Sequence, residues 1–235
     1  MNENHKPTDG NQAFELDDGK FAARRMEMVE KQIRQRGVRD PRVLEAMRTV
    51  PRHLFVPRSA QAAAYSDEPV SIGEAQTVSQ PYIVAAMTEA LELVGSERVL
   101  EIGAGSGYQA AILSLLAQDV VAVETRPLLA RSARDVLQRL GYRNVRVEIG
   151  DGSWGWPGSA PYDAILVAAA APSVPPPLLE QLAGGGRLVI PAGSVEHQEL
   201  IRIRKLGAQL EQKSLFACRF VPLVGQLGWP DVSLS

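Results

Sequence analysis

The sequence lacks the residues and runs that mark several large classes of protein. Cys218 is its single cysteine, which excludes an intramolecular disulfide and a multi-cysteine metal site and indicates a reducing compartment. No stretch approaches the roughly 18 consecutive apolar residues of a membrane span, and the first residues hold no apolar core of the signal-peptide kind. We therefore expect a cytoplasmic protein with no membrane partner and no metal.

An excess of either charge is missing as well. Lys and Arg number 25 against 27 for Asp and Glu, a formal net charge of −2, so nothing in this balance favours nucleic acid as a partner. The length of 235 residues suits one large α/β domain with an appended element and is too short for two enzymatic domains. We expect a monomer.

The chain divides into a tail and one domain. Residues 1–20 are poor in apolar side chains, which predicts a disordered tail. Within the single domain, 21–235, the section 21–95 is predicted to form an N-terminal helical cap that also carries a loop near the site. Its first helix is predicted over 21–36, and the second begins after Asp40, which is followed by a first-turn proline.

Residues 96–191 are predicted to form a cofactor-binding core, because short apolar runs alternate with helical patterns in the βαβ manner. The later residues, 192–235, hold two strand-like runs without helices, which predict an antiparallel pair. The predicted fold class is α/β, a doubly wound, Rossmann-like parallel sheet with N-terminal helices and a C-terminal antiparallel strand pair. Core strands are predicted at 98–102, 120–123, 145–149, 164–168 and 187–190, and helices at 109–116, 127–140 and 177–182.

A glycine-rich turn follows the first strand of this core. Gly103, Gly105 and Gly107 stand between Glu101 and a helix, and such a turn lets the backbone approach a ligand at the carboxyl ends of the strands. Glu124 ends the next strand 21 residues after Gly103, which is the spacing of an acidic residue that binds ribose hydroxyls. The pattern predicts a site for an adenosine.

The same turn argues against a dinucleotide. Tyr108 occupies the position where the dinucleotide fingerprint has its third glycine, and the turn holds no Lys or Arg to pair with a pyrophosphate. Asp151, followed by Gly152, caps the third strand at the same edge of the sheet, where we expect it to accept a hydrogen bond from the adenine amino group. Each acidic residue alone also fits a local cap or turn, but their shared register favours a cationic nucleoside without phosphates. S-adenosyl-L-methionine is such a ligand.

Motifs along residues 26–226 resemble those of a single enzyme family. They are Gln76-Thr77-Val78-Ser79-Gln80-Pro81 within 69–82, the glycine-rich turn, Gly150-Asp151-Gly152, Tyr162-Asp163-Ala164-Ile165, Ala169-Ala170-Ala171-Pro172, Gly185-Gly186-Arg187-Leu188 and Phe220-Val221-Pro222-Leu223. Together they closely resemble protein-L-isoaspartate O-methyltransferases. The resemblance implies transfer of the methyl group of S-adenosyl-L-methionine to the α-carboxyl of L-isoaspartyl and D-aspartyl residues in damaged proteins and peptides, which starts their repair.

The resemblance also implies roles for individual residues. Ser79 matches the family's active-site serine, although its own sequence context fits a helix N-cap before Pro81 equally well. An acceptor carboxylate, with an ordinary pKa of about 3.9, is ionised at neutral pH, so no general base is expected. The expected cofactor-binding residues are Gln76, Thr77, Val78, Ser79, Glu101, Gly103, Gly105, Gly107, Glu124, Thr125, Asp151 and Gly152.

Other functions also fit these residues. A methyltransferase of the same fold could act on another carboxyl acceptor, such as a tailored peptide, and would then fail to distinguish an isoaspartyl peptide from its aspartyl twin. A non-catalytic module could bind damaged chains without needing S-adenosyl-L-methionine. A nicotinamide oxidoreductase is a more distant alternative because of Tyr108.

Overall fold

A long helix opens the part of the chain that the structure describes. The structure is a computed structural model that describes residues 12–230, with side chains from residue 19 onward. Helix α1 (Gln12–Glu27) contains no proline, and its glycine, Gly19, costs only about 1 kcal/mol within a helix. Residues 12–20, which the sequence assigns to a disordered tail, form the first part of this helix, and residues 1–11 lie outside the described part of the chain.

The predicted N-terminal helical cap has the expected helices with different bounds. After α1 the chain continues as a π-helical turn (Met28–Ile33) and a 3₁₀ turn (Arg34–Arg36), and Gly37 ends it with a φ of 105°. Helix α2 (Pro41–Thr49) begins as predicted, because the Asp40 carboxylate accepts a hydrogen bond of 2.8 Å from the Arg42 N–H. Helix α3 is Pro81–Ala90.

A short antiparallel hairpin precedes α3 where the sequence predicts a loop. Its strands are β1 (Val70–Gly73) and β2 (Gln76–Val78). The reversal between them places Glu74 and Ala75 at φ values of 51° and 55°. Positive φ at both central residues is the conformation of a type I′ turn, which Asn-Gly or Asp-Gly would have signalled and Glu-Ala does not.

The core is a seven-stranded sheet in the order β5-β4-β3-β6-β7-β8-β9. Strands β3 to β7 are parallel, and β8 and β9 add an antiparallel pair at one edge, so the predicted fold class is confirmed. The strands are β3 (Arg98–Ile102), β4 (Asp119–Glu124), β5 (Val145–Ile149), β6 (Tyr162–Val167), β7 (Leu182–Gly193), β8 (Gln198–Leu206) and β9 (Gln209–Cys218), and the intervening helices are α4 (Tyr108–Ser114), α5 (Pro127–Arg139) and α6 (Pro176–Glu180).

The central strands of the sheet are buried on both faces, and alternate residues of these strands point to different cores. Val99 faces a larger core that it shares with the N-terminal helices, α4 and α5, whereas Leu100 faces a smaller core built around α6. Both side chains are fully buried. Burial on both faces explains why the strands read as continuous apolar runs in the sequence.

The strand order creates a crevice at the carboxyl edge of the sheet. From β3 the chain adds β4 and β5 on one side, then crosses back to place β6 on the other side. The loops that leave β3 and β6 therefore diverge, and doubly wound sheets bind ligands at this reversal. Gly103 and Ala168 face each other there, since a Cβ on Gly103 would lie 3.7 Å from the Ala168 Cβ.

Candidate active site

A cleft of about 860 Å³, counted to its open mouth, lies at this reversal of strand order. Strand β2, Ser79 and one face of α3 close one side, and residues 221–224 close another. Most of the predicted cofactor-binding residues line this donor cleft: Gln76, Thr77, Val78, Ser79, Glu101, Gly103, Gly105, Glu124, Thr125 and Gly152. The residues predicted from the sequence therefore come together at one cleft. The other two predicted residues, Gly107 and Asp151, lie beside the lining of that cleft.

The glycine-rich turn is held against the end of β4. The Glu124 carboxylate accepts one hydrogen bond from the Gly105 N–H at 2.7 Å and another from the Arg126 N–H at 2.9 Å. Glu124 is 5% exposed and lines the donor cleft. Its carboxylate has lone pairs left for a ligand hydroxyl, but its first role in this structure is to brace the turn.

Glu101 is a buried acidic residue in the lining of the donor cleft. It is fully buried, and neither carboxylate oxygen has a hydrogen-bond partner among the described residues. Burial, with the nearby negative charge of Glu124 as a smaller cause, raises the pKa of Glu101 well above its ordinary value. Buried acceptor oxygens without a protein donor fit a ligand that carries cationic or N–H groups.

Gly107 serves the packing of a helix beside the donor cleft. It precedes α4 in the left-handed conformation, with a φ of 85°. A Cβ at this position would lie 3.1 Å from Leu137 Cδ1 and 3.3 Å from the Ala133 Cβ. Close packing of α4 against α5 therefore requires glycine here, independently of any ligand.

Asp151 holds a C-terminal segment over the sheet edge. Its Oδ1 accepts hydrogen bonds from the Ser153 N–H at 2.9 Å and the Ser153 hydroxyl at 2.6 Å. Its Oδ2 accepts a hydrogen bond of 2.8 Å from the Gln226 N–H. The predicted contact between Asp151 and an adenine amino group would have to be made by a carboxylate that already has these partners.

Gly152 lets the backbone cross directly over β3. A Cβ on Gly152 would overlap the Ile102 Cγ2 atom. Both residues line the donor cleft, so the absence of a side chain at 152 sets the depth of the cleft at this point.

Ser79 follows β2 directly and is half-buried at the mouth of the donor cleft. It is not a helix N-cap, because Gln80 occupies that position before α3 and its side chain makes no capping hydrogen bond. The Ser79 carbonyl accepts a hydrogen bond of 2.7 Å from the Arg52 Nη2 group. The alternative interpretation of Ser79 as a helix N-cap is therefore wrong.

A second, open groove runs into the donor cleft. We call it the acceptor groove; it shares Thr77, Ser79, Ala168 and Val221 with the cleft. The rest of its lining comes from Arg36, Pro69, Gln80, Tyr82, Ile83 and residues 216–220. Two cations, Arg36 and Arg219, line it, and no carboxylate belongs to that lining.

The walls of the acceptor groove combine aromatic and cationic groups. The Arg36 guanidinium lies 3.8 Å from the Tyr82 ring centroid and pairs with Asp67 at 3.1 Å. Tyr82 in turn contacts Phe216, with ring centroids 5.9 Å apart. Sequence reasoning missed these residues because they come from opposite ends of the chain, and only the resemblance around Pro222 pointed to the second end.

The protein-L-isoaspartate(D-aspartate) O-methyltransferase family model matches residues 23–228. The chain belongs to this family. A protein-L-isoaspartate O-methyltransferase from Geobacter metallireducens is 57% identical over 210 residues, which is 89% of this chain and 97% of that protein. One from Syntrophus aciditrophicus is 52% identical over 213 residues, covering 89% and 98%.

Solved structures agree with this assignment to the protein-L-isoaspartate O-methyltransferase family. One of that name is 31% identical, covers 86% of this chain and 67% of its own, and has a TM-score of 0.77. A methyltransferase from Plasmodium falciparum in complex with S-adenosyl-L-homocysteine has a TM-score of 0.74 over 85% of this chain and 98% of its own. At 23% identity, this second likeness supports the fold alone.

Membership in the family confirms the predicted enzyme class, an S-adenosyl-L-methionine-dependent protein-L-isoaspartate O-methyltransferase. Within residues 12–230, no helix is long and apolar enough to cross a membrane. The same stretch of chain contains no group of three or more His, Cys, Asp or Glu residues that could hold a metal ion.

Proposed function

We propose that this chain methylates the α-carboxyl of L-isoaspartyl and D-aspartyl residues in damaged proteins by joining two neighbouring sites at Ser79. The observation that carries the proposal is the shared lining of the donor cleft and the acceptor groove. Ser79 and Thr77 belong to both, as do Ala168 and Val221 on the opposite wall. A peptide bound in the groove therefore contacts these residues at the point where the groove meets the cleft.

The donor cleft suits S-adenosyl-L-methionine by its charge. Glu101 and Glu124 line it, and both oxygens of Glu101 are without donors among the described residues. A cation beside Glu101 favours the ionised carboxylate, which offsets the cost of its burial. When bound, S-adenosyl-L-methionine supplies a methyl group on a positively charged sulfur. Gly103, Gly105, Thr125 and Gly152 would lie along it as cleft residues.

The acceptor needs orientation more than activation. An isoaspartyl α-carboxylate is ionised at neutral pH, so it is already a nucleophile. In this mechanism the Ser79 hydroxyl donates a hydrogen bond to the acceptor and holds one carboxylate oxygen about 3 to 3.5 Å from the methyl carbon. Val78 is 6% exposed and, with Met87, gives the cleft an apolar wall that excludes water from the reacting charges.

Matched peptides test the proposed function. Methyl transfer is measured with two peptides of identical sequence, one with an isoaspartyl and one with an aspartyl residue, using the parent enzyme and Ser79→Ala. We expect methylation of the isoaspartyl peptide alone, and a loss of kcat in Ser79→Ala of about 10- to 1,000-fold, the range for removing an orienting donor. Calorimetry with S-adenosyl-L-methionine measures separately any change in cofactor affinity, so that the loss of kcat at saturating cofactor reports the orientation of the acceptor.

Ser71→Ala is the matched control, because Ser71 is an exposed serine on β1 of the same hairpin and lies outside the lining of both sites. Equal methylation of the two peptides would overturn the substrate assignment. Full activity of Ser79→Ala would overturn the role given to Ser79.

A further inference from the structure

Arg52 is a fully buried arginine directly behind the Ser79 loop. Its side chain has 0% relative exposure. Its Nε group donates a hydrogen bond of 2.7 Å to the Ala64 carbonyl, and its Nη2 group donates one of the same length to the Ser79 carbonyl. One guanidinium therefore ties the loop at Ser79 to the segment that ends at Ala64.

Burying the charged Arg52 side chain in this way costs more free energy than burying an apolar side chain would. No carboxylate pairs with Arg52 among the residues of the described chain, and its Nη1 group has no hydrogen-bond partner there. The Tyr108 ring, 4.8 Å from the guanidinium carbon, gives partial compensation. Burying an unpaired charge is costly, and an apolar side chain of similar volume often stabilises a core as well or better. A buried arginine in this position therefore indicates a need for its geometry.

The other side of Ser79 is anchored separately. Gln80 Nε2 donates hydrogen bonds of 2.9 Å to both the carbonyl and the carboxylate of Asp67. Beyond Gln80 the chain enters α3. The peptide group between Ser79 and Gln80 is thus held by Arg52 on its carbonyl and by the Gln80 side chain on the next residue, so its orientation is fixed.

We propose that Arg52 is a positioning residue that sets the Ser79 peptide group and through it the direction of the Ser79 hydroxyl. The inference rests on the proposed role of Ser79 in orienting the acceptor. Arg52 does not line the donor cleft or the acceptor groove, so it acts through Ser79 rather than on substrate. Lysine cannot replace it, because one ammonium group cannot donate to two carbonyls in the fixed directions of a guanidinium.

A second buried arginine in the same cap supplies the matched control. Arg25 is 7% exposed and donates hydrogen bonds to the Arg48 carbonyl and the Tyr65 hydroxyl. Arg25 and these two partners belong to the helical cap, whereas the Ser79 carbonyl is bound by Arg52. Arg25→Lys therefore reports what general damage to the cap does to the enzyme.

The test is a double-mutant cycle with Arg52→Lys, Ser79→Ala and the double variant, beside Arg25→Lys. We expect Arg52→Lys to lower kcat for the isoaspartyl peptide by about tenfold or more. In the Ser79→Ala background the same substitution should change kcat by less than about twofold, since no hydroxyl remains to be positioned. Amide hydrogen exchange in the free enzyme provides an independent readout, with faster exchange in residues 76–82 for Arg52→Lys and not for Arg25→Lys.

The outcomes separate this inference from the proposed function. Equal losses of kcat from Arg52→Lys in both backgrounds, or equal losses from Arg25→Lys, would overturn the inference while leaving Ser79 its role. Full activity of Ser79→Ala would overturn both. If Ser79→Ala has no measurable turnover, hydrogen exchange decides: unchanged exchange of residues 76–82 in Arg52→Lys overturns the inference, and faster exchange supports it.

Discussion

The Glu124 carboxylate and the Gly105 backbone N–H are joined by a hydrogen bond of 2.7 Å. The second oxygen of Glu124 accepts from the Arg126 N–H, so the last residue of β4 braces the turn that follows β3 and the start of α5. The acidic residue that the sequence assigns to a ribose hydroxyl is therefore also a structural support of the glycine-rich turn. Loss of its charge should affect the ligand and the turn together.

We expect Glu124→Gln to weaken the binding of S-adenosyl-L-methionine by about 10- to 100-fold. The amide keeps one acceptor oxygen, which makes a neutral hydrogen bond, and replaces the other oxygen with an NH2 group that cannot accept from a backbone N–H. A hydrogen bond to a charged group contributes about 1.5 to 3 kcal/mol. Calorimetry measures the change in Kd. Glu211→Gln is the control, since Glu211 is exposed on the edge strand β9. A Kd equal to that of the parent would contradict the bracing role.

Gly152→Ala should destabilise the protein, because the added methyl group overlaps Ile102 below the floor of the donor cleft. Overpacking of this kind costs about 1 to 3 kcal/mol, which urea unfolding measures directly. In Gly184→Ala the added Cβ meets nothing within 4 Å, so that variant should stay close to the parent. Equal unfolding midpoints for the two variants would show that β3 can move away from residue 152.

Glu101 should make the ligand-free protein less stable as the pH rises. Its pKa is raised in the folded state, so a neutral carboxyl contributes full stability below the ordinary pKa of about 4.5, and that contribution is lost as the pH rises through the folded value. Glu101→Gln removes this loss. We expect its stability advantage to grow by up to about 1.4 kcal/mol per pH unit between the two pKa values.

Thermal unfolding of the parent and Glu101→Gln at about pH 5 and about pH 8 measures the effect. The difference in Tm should be larger at the higher pH. Parallel pH profiles for the two proteins would mean that Glu101 is not neutral in the folded, ligand-free state.

Arg219 should bias the enzyme towards acidic substrates. It is exposed, lines the acceptor groove, and has no ion pair or hydrogen bond in the described chain. Arg219→Glu should raise KM about two- to fivefold for isoaspartyl peptides with acidic neighbours, the scale of exposed charge interactions. Peptides with basic neighbours should respond in the opposite direction.

Arg131→Glu is the control for net charge, because Arg131 is exposed on α5 away from the acceptor groove. The effect of Arg219→Glu should shrink as salt rises from about 0.01 M to about 1 M. The same KM change in Arg131→Glu would attribute the preference to overall charge.

The central sheet could be predicted because its strands are short segments rich in Val, Leu and Ile. Strands β3 and β5 have the predicted bounds, since such segments between turn residues leave little freedom in placing them. Strand β7 is longer than predicted, because it begins at Leu182 and includes Gly184-Gly185-Gly186 as a bulge, with Gly185 at a φ of 81°, rather than beginning after a separate turn. Three glycines permit either conformation, so only the pairing with β6 decides it.

The candidate site was predictable where short motifs carry it and unpredictable where distant segments meet. Glu101, Gly103 and Glu124 follow from spacing along one βαβ unit. The link from Arg52 to Ser79 spans 27 residues of sequence, and Pro51-Arg52-His53 has no pattern that distinguishes a buried arginine from a surface one. The sequence predicts Asp151 at the carboxyl edge of the sheet, where it lies. Its hydrogen-bond partner Gln226 is 75 residues away along the chain, so this hydrogen bond could not be predicted.

The acceptor groove combines Arg36, near the start of the domain, with Phe216 and Val221, near its end. Protein synthesis proceeds from the N-terminus, so a growing chain on the ribosome has no such groove until β9 has emerged and paired with β8. The donor cleft is completed at the same late stage, because residues 221–224 form one of its walls. An incompletely translated chain therefore lacks both binding surfaces and cannot methylate other proteins.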